Sequence, residues 1–187
     1  MLGSGGRYGA GVGGRRAVLL RAVNVGGAKL PMAELRQIAT DLGATEVATH
    51  IASGNLLCSP PGAAADFDRA LERAVEERFG FFREAISRTG PELRAALEAF
   101  PFEVHERRFC YVVFLLDQPR ADAVAAAAEV DTGAEQWQLI GRDVHLRYAD
   151  GAGRADPRLD RALRRLANPG TARNLNTVAK LVELLGA

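Results

Sequence analysis

The segment AVLLRAVNVGGAKLP, residues Ala17–Pro31, decides how the rest of the chain is read. From Ala17 to Val25 the apolar residues are interrupted only by Arg21 and Asn24, and Gly26-Gly27 then breaks the run. A short β-rich run ending in glycines reads as a buried strand leaving its sheet through a tight loop. An arginine at the end of such a strand needs a partner or access to water, because an unpaired buried charge is costly. Arg21 and Asn24 are therefore placed at a cleft beside the strand end. Gly26 and Gly27 offer exposed backbone amides with a helix start behind them, which makes them candidate anion-binding positions. The loop is not a Walker loop, since no Gly-Lys-Ser/Thr follows.

On the N-terminal side, residues 1–16 are glycine-rich, carry Arg7, Arg15 and Arg16, and show no apolar period. They read as a disordered tail. Gly9, Gly11 and Gly14 match the dinucleotide fingerprint G-x-G-x-x-G, but that motif needs a strand before it and a helix after it. Here a strand follows, so the match is rejected.

On the C-terminal side, Leu35, Ile38, Ala39 and Leu42 give Pro31–Leu42 a helical period, with Gly43 as its stop. Glu46–Ile51 and Asn55–Cys58 read as a hairpin around Ala52-Ser53-Gly54. Asp66–Phe79 is a second helix with Phe67, Leu71, Ala74 and Val75 inward, and Arg83–Arg88 is a closing strand. This β-α-β-β-α-β order is that of a ferredoxin-like sandwich, with helices on one face of an antiparallel sheet. The pattern then begins again after a connecting helix, Glu92–Ala99. Phe109–Leu116 (FCYVVFLL) is the most apolar strand and is expected to be central; a helix follows over Arg120–Glu129. Trp137, Leu139, Val144, Leu146 and Tyr148 alternate with polar residues across Gly141-Arg142, a second hairpin. Arg158–Leu166 is a helix capped by Asp156, and a weak last strand, Thr171–Arg173, leads into a helix capped by Asn174 and ending at Leu185. The expected architecture is α+β: residues 17–90 form a first ferredoxin-like half, and residues 91–187 a second half with a C-terminal helix.

The 187 residues carry a formal charge of +1, which argues against a surface built wholly for polyanions. Cys58 and Cys110 are isolated thiols in apolar runs and read as reduced core residues of a cytoplasmic protein. No stretch approaches the ~18 consecutive apolar residues of a membrane span, and no signal-peptide h-region is visible. His50, His105 and His145 have no metal-ligand spacing, so no metal or cofactor is expected. His145 alternates with Val144 and Leu146 and is expected on a solvated strand face. Asp66, Asp68, Glu76 and Glu77 read as solvated helix-surface carboxylates. Arginines outnumber aspartates from Arg147 to Arg173, yet the strands lack the aromatic RNP pattern, so nucleic acid is disfavoured as a partner but not excluded.

Several segments resemble a bacterial family of unknown function, domain of unknown function family 1697: RAVNVGG (21–27) with PMAEL (31–35), SGN (53–55), YADGAGR (148–154) and TARNLNTVAKL (171–181). The resemblance implies two ferredoxin-like halves and no particular activity. The sequence departs from the family at Ala22, where a glycine is usual, and at Leu175, where a tryptophan is usual. After Gly153-Arg154 the usual serine and lysine are replaced by Ala155, Asp156 and Pro157, so an anion held there would fall to Arg154 or Arg158.

Ser53 and Asn55 offer a hydroxyl and an amide, though turn chemistry accounts for both residue types. Arg173, Asn174, Asn176 and Thr177 crowd the last helix start, more polar side chains than one N-cap needs. The candidate site is therefore Arg21, Asn24, Gly26, Gly27, Ser53, Asn55, Arg154, Arg173, Asn174 and Asn176, binding a small anionic or nucleotide-like ligand. Two alternatives stand beside it. One is a structural or interaction protein whose polar motifs fix turns and packing; the other is a metal-independent enzyme using Arg21 and Arg173 as charge stabilisers. Catalytic residues and oligomeric state are left open.

Overall fold

The computed structural model describes residues 14–23 and 29–187. The segment 1–13, and Asn24, Gly26 and Gly27 of the candidate site, lie outside the described residues. The first half runs β1 (Arg16–Leu20), α1 (Met32–Asp41), β2 (Thr45–His50), β3 (Asn55–Ser59), α2 (Ala64–Phe79) and β4 (Ala85–Thr89). Helix α3 (Gly90–Glu98) follows at once. The second half runs β5 (Cys110–Leu115), α4 (Ala121–Ala128), β6 (Gln136–Ile140), β7 (Asp143–Arg147), α5 (Pro157–Arg165) and β8 (Gly170–Asn174), and α6 (Leu175–Leu184) follows β8 directly.

The two sheets have the same order, β2-β3-β1-β4 and β6-β7-β5-β8, with antiparallel pairing throughout. This is the antiparallel arrangement expected of two ferredoxin-like halves. The stretch quoted first, β1, is central in its sheet, as β5 is in the other.

Burial explains the apolar runs. Val18, Leu20, Leu56 and Cys58 pack under α1 and α2 through Leu35, Ile38, Phe67 and Leu71. On the other face, Ala17, Leu19, Leu57 and Ile86 share a core with Cys110, Val112 and Phe114 of the second sheet and with apolar residues of α3 and α6. The outer face of the second sheet packs Leu115, Val144 and Leu146 against Ala127 of α4 and Leu159 of α5. Both faces of each central strand are therefore covered, which is why β1 and β5 read as unbroken apolar runs. Each fully buried leucine contributes roughly 1.5–3 kcal/mol.

Two expectations are corrected. His145 is not on a solvated face: it is 1 % exposed, because the inner face of β7 meets Phe100, just after α3. Asp68 is not a surface carboxylate either. It is 6 % exposed and accepts from Ser87 Oγ at 2.6 Å and Ser87 N at 3.1 Å, while Glu72 one turn on accepts from Ala85 N at 2.8 Å. Two carboxylates at i and i+4 thus satisfy the outer N–H groups of β4, an edge strand that would otherwise present them unpaired.

Candidate functional site

Strands β4 and β8 each turn without a linker into a helix whose N-cap is the strand's last residue. Thr89 forms a capping box with Glu92 for α3, and Asn174 Oδ1 accepts from Thr177 N at 2.9 Å for α6. The residue before each cap is a buried arginine, Arg88 at 2 % and Arg173 at 7 % exposure. Each guanidinium reaches across the junction into the opposite half.

Arg173 donates from Nε to Asn55 Oδ1 at 2.5 Å, from Nη2 to Leu20 O and Ser53 O at 3.0 Å, and from Nη1 to Thr171 Oγ1 at 2.7 Å and Ala172 O at 2.8 Å. A guanidinium has five N–H donors, and here every one has an acceptor. None of those acceptors is charged, and burial pushes the Arg173 pKa down to about 10. Arg88 donates to Leu115 O at 2.7 Å, Asp143 Oδ1 at 2.9 Å and Ser87 O at 3.0 Å, but its buried Nε has no partner.

The structure thus brings Ser53, Asn55 and Arg173 of the candidate site together. Asn55 is fully buried and donates to His50 O and Ser53 Oγ as well. Gly54 sits at φ +75°, and a Cβ there would lie 2.7 Å from Val23 Cγ2, so this turn requires glycine. Arg21 follows β1 at the surface, 3.3 Å from Glu84 Oε1, and lines a separate cleft of about 290 Å³ with Tyr148, Arg164 and Asn168. Asn174 is engaged as a cap. Asn176 and Arg154 are exposed, Arg154 in a 3-10 turn after β7, and no described hydrogen bond joins either to the Arg173 cluster.

A larger cleft lies at Arg88. It measures about 410 Å³ and is lined by Arg16, Arg69, Arg88 and Arg142, by Asp68, and by Ala64 and Ala65 at the start of α2. The α2 N-cap is Ala63, which supplies no side-chain cap, so the first amides of a 16-residue helix stand at the cleft without one. Three carboxylates also line it. Asp68 is held by Ser87, Glu92 is engaged by Thr89 and by Arg142 at 3.1 Å, and Asp117 is the third. Burial pushes the Asp68 pKa up to about 6 against the lowering effect of Ser87, Arg69 and Arg16, so burial opposes its negative charge.

Sequence reasoning missed Arg16, Arg69, Arg88 and Arg142. The available signal was the parallel between Arg88-Thr89 before α3 and Arg173-Asn174 before α6. Among the described residues, no group of three or more His, Cys, Asp or Glu could hold a metal ion, and no helix is long and apolar enough to cross a membrane.

Paired ferredoxin-like halves joined by reciprocal arginines define the class of the molecule. The model of the protein family of unknown function DUF1697 matches residues 14–145, and the chain belongs to that family. The match ends within β7, so the YADGAGR and TARNLNTVAKL segments lie beyond it. Among solved structures, the chain is similar to the conserved bacterial protein SP0830 from Streptococcus pneumoniae. The two share 24 % identity over 93 % of this chain and 99 % of that one, with a TM-score of 0.72, a likeness of fold. No curated protein matches the sequence.

Proposed function

We propose that the protein is a binding module for a small anion, seated in the cleft between the start of α2 and Arg88. The observation that carries this reading is Arg88 itself: a buried cation lining the cleft with an unpartnered Nε–H. An orphaned buried donor is costly unless something accepts from it. Arg16, Arg69 and Arg142 around it, and the uncapped amides of α2, favour an acceptor with negative charge.

The structural reading has its own supporting observation, at the other end of the junction. Arg173 has no donor left for a ligand, so there the motif residues serve interdomain packing. The two readings therefore apply to different arginines.

Thermal unfolding in inorganic phosphate or pyrophosphate, at ionic strength matched with chloride, tests the proposal. Binding to the native state raises the melting temperature saturably. Arg142→Ala removes a 41 % exposed side chain and is expected to weaken phosphate binding about tenfold with the unliganded melting temperature unchanged. Identical melting curves in phosphate and chloride would overturn the reading.

A further inference from the structure

The Arg88 cleft does not end at the arginines. A second cleft, of about 320 Å³, shares Arg88, Glu92 and Arg142 with it and continues between α3 and the β6–β7 hairpin. Beyond those shared residues its walls are of another kind: Ala95, Ala96 and Ala99 from α3 and its C-cap, Ile140 and Gly141 from the hairpin, and Asp143 and His145 of β7. The alanines leave space beside the sheet that larger side chains would fill. His145 is buried, its ring lies 5.8 Å from that of Phe100, and its Nδ1 has no hydrogen-bond partner. The two clefts meet at Arg88, Glu92 and Arg142: one is cationic and lined by Arg88, whose buried Nε has no partner, and the other is more apolar and lined by His145, whose buried Nδ1 has none. Buried polar atoms without partners are rare, and one in a residue lining each of two adjoining clefts favours a ligand with a hydrogen-bonding group at each end.

We infer that the groove binds a nucleoside monophosphate, its phosphate among Arg16, Arg69, Arg88 and Arg142 and its base in the alanine-lined slot with one ring edge bonded to His145. This assignment rests on the anion reading above. A phosphate matches the planar fork of a guanidinium and the helix amides. A base matches the slot because its faces are apolar while its edge carries donors and acceptors. Each compartment falls in the range of several hundred Å³ typical of small-molecule sites. The Arg142–Glu92 pair, 3.1 Å apart and partly exposed, stands where the two compartments meet and is placed to contact the sugar.

Calorimetric titration with inorganic phosphate, ribose 5-phosphate and the four ribonucleoside monophosphates separates the two levels. At least one nucleotide is expected to bind ten-fold or more tighter than ribose 5-phosphate. Ala99→Leu, at the half-buried C-cap of α3, is expected to remove that advantage while leaving ribose 5-phosphate affinity unchanged. Ala95→Leu provides a second variant should the first disturb the fold. If phosphate and ribose 5-phosphate bind but no nucleotide binds more tightly, the slot assignment fails and the anion reading stands. If none of the phosphates binds, both fail. Free nucleosides binding as tightly as their monophosphates would also overturn the spanning arrangement.

Discussion

Asn55 and Asp143 occupy the same position in the two sheets, each the first residue of its strand and each opposite the penultimate residue of the central strand, Leu19 or Phe114. Each accepts from the arginine of the opposite half, which also donates to the carbonyl of the central strand's last residue, Leu20 or Leu115. Only one of the two acceptors is charged. At Arg88 the junction has an ion pair and a vacant donor, whereas at Arg173 it has five neutral acceptors and no vacancy. The repeated fold thus has the strut at both ends, with an unpartnered guanidinium N–H at only one of the two.

Arg173→Met tests the strut. The substitution keeps an apolar stem but orphans Ser53 O and Asn55 Oδ1 at a buried junction and leaves Leu20 O with only the 3.4 Å bond from Thr171 Oγ1. A loss of about 3 kcal/mol or more in urea denaturation is expected. Arg173→Lys is expected to recover little of it, since an ammonium cannot reproduce five donors in a planar fork. A loss below about 1 kcal/mol would show that the halves hold together without this residue.

Arg21→Ala is expected to behave in the opposite way. Its side chain is 48 % exposed and its partner is Glu84, so the pair is screened by water and contributes little. Unliganded stability is expected to change by no more than about 0.5 kcal/mol. A larger loss in chemical denaturation would mean that Arg21 supports the strand end after all.

How legible these features were follows from where each residue faces. The strand Phe109–Leu116 was readable because both its faces are covered, and Asp156 and Asn174 because a cap needs a particular side chain at one position. The last strand was faint for a physical reason: its inward positions are Thr171 and Arg173, polar residues that bond across the junction. His145 was misread because alternation with Val144 and Leu146 implies a wet face only where one side of the strand is uncovered, and the middle of β7 is buried on both. Asp68 was misread because a carboxylate on a helix flank is solvated unless an edge strand lies beside it, and that contact is not written in the helix. The arginine cleft stayed hidden because its members come from β1, α2, β4 and the β6–β7 hairpin, which only the packing of the two halves brings together.

Asp68→Asn is expected to change the pH dependence of stability. The folded pKa, about 6, lies above the ordinary value of 3.8, so the native state binds more protons than the unfolded chain between those values. Stability therefore falls as pH rises from about 4 to 6, by roughly 3 kcal/mol if the whole shift is expressed. Asparagine has the shape of the protonated acid and no proton to lose. The wild type is expected to lose stability between pH 4 and pH 6.5 relative to Asp68→Asn in urea titrations. Parallel profiles for the two proteins would show that Asp68 is charged without penalty.

His145→Leu separates folding from binding at one residue. The first half has Leu57 at the corresponding place, third in its strand, and packs it in the same central core. Burial lowers the His145 pKa below 6.5, with Asp143 opposing, while Arg88, Glu92 and Arg142 face the same cleft. The folded imidazole stays neutral where the unfolded one takes up a proton, so this residue's contribution to stability is lost as pH falls below 6.5. Leucine has no proton to bind and no orphaned Nδ1. Its advantage over the wild type is expected to be about 1 kcal/mol at pH 7.5 and to widen toward pH 5. In the same protein, nucleoside monophosphate affinity is expected to drop at least fivefold while inorganic phosphate affinity stays fixed, because only the base end of the groove has changed. A variant more stable than the wild type that still bound nucleotide unchanged would leave His145 as a core residue and remove the hydrogen bond from the proposed site.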